Sequence, residues 1–337
     1  MKLKQQKGLI LGIAILIQIL VLSGCAAVKR QERDAAPDIG RMRFEKPQMP
    51  KALGAKEGQE PRLSVYIKEE GKIKDMAFEE YIAGVVGGEI KNYWPQESIK
   101  AQAIIARTFV LKFIEEKGGS KYKGAHISTD IEEAQAWNME AVNDNIRKAV
   151  KATRGDVIVY EGGLAYTWFH SNAGGKTANA VEGLNFKEGN PPYIRTVKSP
   201  DGYDNIEIPA DQRKWIVKFS KSEVLAALNK IGSPVKNFSN VTIGKRGDSG
   251  RAMTIRFDQT DANAPDLRIA LDSMKMKSTL LDNVRFDGKW VSFEGRGYGH
   301  GVGMSQWGAH NMAKQGKKAK EIIRHYYNNI QVANMWK

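Results

Sequence analysis

The sequence predicts an α+β fold, with a single mixed sheet-and-helix domain that carries an inserted strand-rich subdomain. Helical periodicity occurs early, between residues 76 and 113, whereas residues 241–293 consist mostly of strand-like segments. The elements follow one another irregularly, and the sequence has no internal repeat. This order is untypical of a doubly wound sheet, in which strands and helices alternate regularly.

The folded part begins with a predicted hairpin. Residues 63–67 alternate between apolar and polar side chains and lead into a Glu70-Gly71 turn. Apolar residues then recur with helical spacing over residues 76–86. The strongest helix begins after Pro95 and ends at Gly118-Gly119.

The later predicted elements are shorter. Strands are expected at 157–160 and 165–169, on either side of a Gly162-Gly163 turn, and again at 241–243, 252–257 and 290–293. Helical segments are expected at 224–228, 267–271 and 322–327.

Residues 1–24 have the pattern of a lipoprotein signal peptide. A basic start is followed by an apolar run over residues 8–22, which is short for a membrane-spanning helix and typical of a signal peptide. The run ends in Leu22-Ser23-Gly24-Cys25, which resembles a lipobox, where the cysteine becomes the first residue and carries a diacylglyceryl group. The alternative is an uncleaved signal anchor with an incidental cysteine.

Cys25 is also the only cysteine, so no internal disulfide explains this thiol, whereas lipidation does. We therefore expect the protein to lie on the extracytoplasmic face of the cell membrane, anchored through Cys25 and facing the cell wall. The formal charge of +14 favours anionic partners. Export makes nucleic acid an unsuitable partner and leaves wall polymer and lipid headgroups.

Residues 25–60 are predicted to be the lipidated cysteine and a flexible tether. They are rich in charge, Pro and Gly, and Phe44 is their only aromatic residue. Such a segment buries too little apolar surface to fold alone. The folded domain is therefore assigned to residues 61–337.

A first polar segment contains Gly87, Gly88 and Glu89 after an apolar stretch. We expect the glycines to allow a tight backbone turn and to place Glu89 beside apolar surface. Such surroundings raise the pKa of a carboxyl group, which then keeps a proton to donate near neutral pH. Lys100 and Arg107 lie seven residues apart on one side of the next helix, from which they could face a cleft or simply solvent.

Two further segments are unusually polar and rich in glycine. Residues 168–177 end a predicted strand, and residues 295–309 carry glycine at five alternate positions from Gly295 to Gly303. An ordinary turn with a surface histidine is the alternative for the first of them. Neither segment fits a phosphate loop, a zinc-binding HExxH motif or a GxSxG elbow. The five histidines are scattered along the chain, so no metal site is expected.

Together these segments resemble the SpoIID/LytB domain family. The resemblance rests on YIAGVVGGEI (81–90) with KAQAIIARTF (100–109), on FHSNAGGKT (169–177) and on GRGYGHGVGMSQWGA (295–309). It extends from about residue 63 to residue 332.

The resemblance implies a catalytic domain that cleaves the glycan strands of peptidoglycan as a lytic transglycosylase, after an amidase has removed the stem peptides. Sporulation and engulfment are the processes in which such a domain is expected to act. It implies no cofactor, and it makes glycan strands and a cell-wall amidase the expected partners. The catalytic acid of the family falls on Glu89. The expected substrate-binding residues are Lys100, Gln102, Arg107, His170, Ser171, Gly174, Gly175, Arg296, Tyr298, His300, Gly301, Met304, Ser305 and Gln306.

The chain departs from the family pattern at one segment. Relatives often have a CDxxxCQ-like sequence, and in some of them its cysteines help to hold zinc. Here Thr129 and Ala134 stand at the two cysteine positions, although Asp130 and Gln135 are kept. The chain is therefore expected to carry no zinc.

A lytic transglycosylase needs one acid, because the muramic acid's own C6 hydroxyl replaces the attacking water. Glu89 is the only acidic residue in the two longest matching blocks, which fits that chemistry. Two other functions stay open: a non-catalytic enhancer of a wall amidase, and a glycan-binding scaffold lipoprotein.

We predict that the mature protein begins at Cys25 and partitions with membranes. Cys25→Ser should release the protein or leave the precursor unprocessed, because the thiol that receives the diacylglyceryl group is gone. Mass spectrometry and membrane fractionation check this outcome. An unchanged mass together with membrane retention of the variant would favour an uncleaved anchor.

Overall fold

The computed structural model describes residues 47–336. The predicted signal peptide, Cys25 and the tether up to residue 46 lie outside these residues. Within the described part, no helix combines the length and the apolar character needed to cross a bilayer.

The described residues form a mixed α+β fold, which confirms the predicted class. The helices are α1 (Phe78–Glu89), α2 (Gln96–Lys117), α3 (Asp144–Ala152), α4 (Ala180–Leu184), α5 (Ala210–Arg213), α6 (Lys221–Lys230), α7 (Ala264–Leu271), α8 (Gln306–Lys314) and α9 (Ala319–Tyr326). The strands are β1 (Arg62–Ile67), β2 (Lys72–Ala77), β3 (Ile127–Ser128), β4 (Asp156–Tyr160), β5 (Gly163–Leu164), β6 (Phe169–His170), β7 (Trp215–Ser220), β8 (Val241–Ile243), β9 (Thr254–Phe257), β10 (Thr260–Asn263), β11 (Leu281–Phe286), β12 (Trp290–Gly295), β13 (Met304–Ser305) and β14 (Gln331–Asn334).

The strands form small sheets rather than one large sheet. The hairpin β1–β2 is antiparallel and is extended by β3, which runs parallel to β1. Strand β4 lies between β14 and β5, and the short strands β13 and β6 pair in parallel. The strand-rich region contributes two antiparallel sheets, in the orders β10-β9-β8 and β11-β12-β7.

Helix α2 is the centre of the fold. Ile99, Ala103 and Ala106 pack into a hydrophobic cluster with α1 and β1, whereas Ile104 and Ile105 pack into a second cluster with α8 and α9. A third cluster is built from the strand-rich region and from α6 and α7. Because α2 is apolar on two sides, it joins the first two clusters, and the strand-rich region has a hydrophobic core of its own.

Several local predictions are confirmed and some are corrected. The hairpin at 63–67 and the helix after Pro95 are present, and α2 ends at Gly118 with φ of 72°. The expected strand at 165–169 is wrong: β5 ends at Leu164, residues 165–168 are irregular, and β6 begins only at Phe169. The structure adds α3 and α8, which the sequence patterns did not predict. Helix α8 begins at Gln306, within the last four residues of the glycine-rich block.

Residues 47–60 differ from the predicted tether. Leu53 is buried and Met49 packs against the first hydrophobic cluster. Glu60 accepts hydrogen bonds from the Glu79 backbone N–H and from Arg154, and Gly58 pairs with Trp336. These contacts place residues 47–60 in the folded domain rather than in the tether.

Three glycines of α1 allow a very close approach of the segment 136–138. A Cβ atom at Gly84 would lie 2.2 Å from Trp137 Nε1, and one at Gly88 would lie 2.6 Å from the Ala136 carbonyl carbon. A Cβ atom at Gly87 would lie 2.4 Å from the Asn138 oxygen. Gly87 and Gly88 were expected to make a turn, but both are helical and serve this contact instead.

Arg107 contradicts its predicted position at a cleft, because its side chain is fully buried. The guanidinium donates to both carboxylate oxygens of Glu79, at 3.0 and 2.7 Å, and to the Asp156 carbonyl at 2.8 Å. Glu79 also accepts from the Gly155 N–H and from Trp336 Nε1. This ion pair joins α1 and α2 to the first residue of β4 and to the C-terminal segment.

We predict that Arg107→Met lowers the free energy of unfolding by about 3–5 kcal/mol, because it leaves the largely buried Glu79 carboxylate without its cation. Arg256→Met is the matched control: its pair with Asp261 is also bidentate but exposed, so its loss should cost less than about 1 kcal/mol. Urea unfolding measures both changes. Equal small losses would contradict a structural role for Arg107.

Candidate functional site

Glu89 is the last residue of α1, and its carboxylate lies at the contact between α1 and the segment 136–138. Oε1 accepts a hydrogen bond of 2.8 Å from the Ala136 backbone N–H. Oε2 accepts a longer bond of 3.3 Å from Nε2 of Gln306, the first residue of α8. The carboxyl group is therefore oriented by two donors from distant parts of the chain.

Burial raises the pKa of Glu89 to about 7, against the opposing effects of the Ala136 and Gln306 hydrogen bonds. The surroundings disfavour the ionised carboxylate more than the two donors favour it. At neutral pH both the protonated and the ionised forms are populated. A group in this state can give and later accept a proton.

Glu89 opens into a cavity of about 400 Å³, which we call the Glu89 cavity. Its walls come from the end of α1 and the following loop, from the loop after β6, from the segment around α5, and from the start of α8. The lining residues are Gly87, Gly88, Glu89, Ile90, Lys91, Asn92, Trp94, Ala141, Ser171, Pro209, Gln212, Gln306 and Trp307. Among these described residues Glu89 is the only carboxylate, and most polar groups are amides and a hydroxyl.

Ser305 and Asp201 hold the start of α8, which forms part of the cavity wall. Ser305 caps α8 by accepting the Gly308 N–H, and its hydroxyl donates to the buried Asp201 carboxylate. Asp201 also accepts from the Ala173 and Gly175 N–H groups. The start of α8 and the loop after β6 are thereby fixed to one buried carboxylate, which the sequence patterns did not reveal.

Ser171 and Gln306 are the two predicted binding residues that reach the Glu89 cavity. The Ser171 hydroxyl donates to Gln212 Oε1 at 3.1 Å, and its carbonyl accepts the Trp307 N–H. Trp307 packs against Trp94 and His310, so its ring serves core packing as well as the cavity wall.

The other predicted residues of α2 do not line this cavity. Lys100 forms an ion pair with Glu97, whose other oxygen accepts the Ala319 N–H at the start of α9. Gln102 is fully buried, and its amide has no hydrogen-bond partner among the described protein atoms. Arg107 lies in the core, and Lys100 is not among the lining residues. Helix α2 therefore supplies no cation to the Glu89 cavity.

His170 and His300 contact each other behind the cavity wall, with ring centroids 5.6 Å apart. His170 Nδ1 lies 3.1 Å from the Val302 carbonyl, and burial lowers its pKa well below the usual range. Burial and the neighbouring Arg268 lower the pKa of His300 to about 3. Both rings are therefore neutral at physiological pH and act as packing and hydrogen-bonding groups.

The glycine-rich block mainly serves close backbone contact. A Cβ atom at Gly301 would lie 2.4 Å from the buried Arg251 guanidinium carbon, and one at Gly303 would lie 1.9 Å from the Trp168 oxygen. Both glycines have positive φ, as do the predicted site residues Gly174 and Gly175. Met304 is fully buried.

Arg296 and Tyr298 also lie outside the cavity lining. Arg296 is paired with Asp282, and the Tyr298 hydroxyl contacts the Met274 sulfur at 3.0 Å. Both side chains face the strand-rich region rather than Glu89.

The segment at which relatives carry cysteine does not fit a zinc ion. Thr129 Oγ1 accepts the Lys68 N–H, and Asp130 accepts from Lys68 Nζ, Lys121 Nζ and the Tyr122 hydroxyl, at 2.6–2.9 Å. These partners hold the pKa of Asp130 far below its usual range. Within residues 47–336, no three His, Cys, Asp or Glu side chains are grouped as a metal site would require.

The sequence patterns missed several residues of the Glu89 cavity. Lys91, Asn92 and Trp94 come directly after the Glu89 motif in the chain. This proximity could have indicated that they line the same cavity as Glu89. Asn145 holds this loop by donating to the carbonyls of Asn92 and Trp94. Gln212 belongs to no recognisable motif and reaches the site only through the fold.

The matches to known proteins cover most of the chain. A family profile described as "Stage II sporulation protein" (SpoIID) matches residues 66–160, and a profile described as "Domain of unknown function (DUF8618)" matches residues 195–303. The chain is similar to stage II sporulation protein D of Bacillus amyloliquefaciens, with 26% identity covering 82% of each chain. It is 29% identical to an uncharacterised protein of Brachyspira hyodysenteriae, over 78% of this chain and 68% of that protein. It is 25% identical to the amidase enhancer of Bacillus subtilis, over 73% of this chain and 39% of that protein.

We predict a pH-dependent stability effect of Glu89→Gln. Folding raises the pKa of this carboxyl from 4.5 to about 7, so the wild type loses stability as the pH rises through that interval. The glutamine cannot ionise, so it lacks this loss. The free energy of unfolding of the variant should therefore rise relative to that of the wild type from about pH 4 to about pH 8. Urea unfolding across this range measures the difference, and a constant difference would contradict the raised pKa.

Proposed function

This chain belongs to the SpoIID family of stage II sporulation proteins, and from that premise and the Glu89 cavity we propose that it is a lytic transglycosylase of the cell wall. Its substrate is the glycan strand of peptidoglycan, stripped of stem peptides, and the bond cleaved follows N-acetylmuramic acid. The product end is 1,6-anhydro-muramic acid.

The observation that carries the proposal is the single carboxyl group of the Glu89 cavity. Glycosidases that use water generally place a second carboxylate across the scissile bond, as base or nucleophile. Among the described lining residues no second carboxylate faces Glu89. A reaction in which the substrate supplies its own nucleophile fits this arrangement.

In the proposed reaction the protonated Glu89 donates its proton to the glycosidic oxygen while the bond to the anomeric carbon breaks. The resulting carboxylate then accepts the proton of the C6 hydroxyl, whose oxygen bonds to the same anomeric carbon. A pKa of about 7 suits both steps. The Ala136 N–H stabilises the carboxylate between them.

The other polar groups of the cavity suit sugar binding. Ser171, Gln212 and Gln306 offer hydroxyl and amide groups for sugar hydroxyls and acetamido groups. Lys91 is the one basic residue among the lining residues, and it is exposed. It is a suitable partner for the lactyl carboxylate of a peptide-free strand. Lys100 and Arg107, the two basic residues of α2 that were expected to bind substrate, do not line the cavity.

We also propose that the protein works at the outer face of the cell membrane through a lipid on Cys25. The similarity to the amidase enhancer favours a second candidate function, the stimulation of a wall amidase.

We predict that Glu89→Gln lowers strand cleavage by roughly 10²–10⁴-fold, because the amide keeps the shape of the side chain but transfers no proton. The matched control is Glu188→Gln, an exposed glutamate outside the cavity, which should cleave like the wild type. Mass spectrometry of the fragments from peptide-free strands measures the rate and the product ends.

Wild-type fragments should carry 1,6-anhydro ends. Reducing ends, heavier by one water, would identify a hydrolase instead. Full activity of Glu89→Gln would refute the catalytic assignment. An absence of cleavage together with faster release of stem peptides by an added amidase would identify an enhancer.

A further inference from the structure

One face of α8 lines two cavities. Its first turn lines the Glu89 cavity, and its last turn lines a second cavity. Trp307 belongs to the Glu89 cavity, and Asn311, Lys314 and Gln315 follow it at four, seven and eight residues. These intervals place the four side chains on one face of the helical turn. The second cavity also measures about 400 Å³.

The opposite wall of both cavities is one continuous segment, residues 200–212. Pro209 and Gln212 line the Glu89 cavity, whereas Pro200, Asn205 and Glu207 line the second cavity. The segment therefore packs alongside α8. Asn311 Nδ2 donates to the Pro200 carbonyl, and Lys314 pairs with Glu207, which fixes this contact.

The separation of the two cavities suits a linear polymer. Lys314 lies eight positions after Gln306, or roughly 12 Å along a helix axis. This distance is comparable with the length of one disaccharide. A strand whose scissile bond lies at Glu89 would thus reach the second cavity with its next disaccharide unit.

The free groups of the second cavity are of the kind that bind sugars. Lys314 and Gln315 are exposed, and the Gln315 amide has no hydrogen-bond partner among residues 47–336. The pair between Lys314 and Glu207 is also exposed, at 49% and 44% of the side-chain surface. An exposed ion pair holds its partners weakly, so both groups can turn to a ligand.

We propose that the second cavity is a distal subsite for the same glycan strand, in which Lys314 and Gln315 bind the sugar unit beyond the Glu89 cavity. This inference rests on the proposed function, because it takes the glycan strand as the ligand of the Glu89 cavity. The subsite makes binding depend on strand length. It contributes to substrate affinity and takes no part in bond cleavage.

The test uses full-length protein and peptide-free glycan strands of two lengths: the shortest strand that is cleaved, and strands several disaccharides longer. Lys314→Ala, Gln315→Ala and the double variant are compared with the wild type. Lys317→Ala is the matched control, because Lys317 is equally exposed on the same chain segment and pairs with Glu321 at 3.5 Å. Lys317 does not line the second cavity.

For long strands the double variant should raise KM roughly tenfold, the ratio expected when one or two hydrogen bonds to a ligand are lost. Its kcat, and its kcat/KM for the shortest strand, should match the wild type. Equal changes for both lengths, or no change for long strands, would overturn the subsite. So would a KM increase of the same size in Lys317→Ala.

Binding of long strands to Glu89→Gln, with and without the double substitution, separates this inference from the proposed function. If the wild type cleaves no strand but the double substitution still weakens length-dependent binding, the subsite stands and the transglycosylase proposal fails. If cleavage occurs and the double substitution leaves binding unchanged, the subsite fails and the transglycosylase proposal stands.

Discussion

The contact between α1 and the segment 136–138 is the constraint on which the candidate site depends. Glycine at positions 87 and 88 lets backbone atoms of this segment lie where a Cβ atom would otherwise be, and Gly84 does the same for the Trp137 ring. The contact brings the Ala136 N–H within 2.8 Å of Glu89 and orients the carboxyl group. Burial raises the pKa of that carboxyl against the effect of this hydrogen bond, and an oriented acid with a raised pKa meets two requirements of proton transfer.

The loop that leads to this contact is held by charged and hydrogen-bonding side chains. Asp130 is almost fully buried and receives hydrogen bonds from two lysines and a tyrosine. Its strongly lowered pKa keeps it ionised, so the brace persists over the physiological pH range. A turn from Asp130 to Ala134 then leads to Ala136. In this chain hydrogen bonds thus hold a loop for which some relatives use thiolate ligands.

Most polar residues of the recognised motifs support the site and do not line it. His170, His300 and Arg251 fill the space behind the wall formed by β6 and β13, and Ser305 and Asp201 fix the start of α8. Burial keeps the two histidines neutral, so this region adds little charge near Glu89. The cavity itself is left with amides, a hydroxyl, one lysine and one carboxyl, a composition suited to a carbohydrate with few charges.

The sequence alone determined the α+β class, the opening hairpin, α2 and the position of Glu89 at the end of an apolar element, because these follow from local periodicity and from one long motif. Tertiary structure decided which polar side chains surround Glu89. The spacing of Lys100 and Arg107 put them on one side of a helix, but Glu79, 28 residues before Arg107, draws the guanidinium into the core. Gln212 reaches the cavity without any motif, and α8 begins at the end of the glycine-rich block, where the sequence patterns predicted no helix. In each case the deciding partner is distant in the chain, so packing and not local pattern sets where the side chain lies.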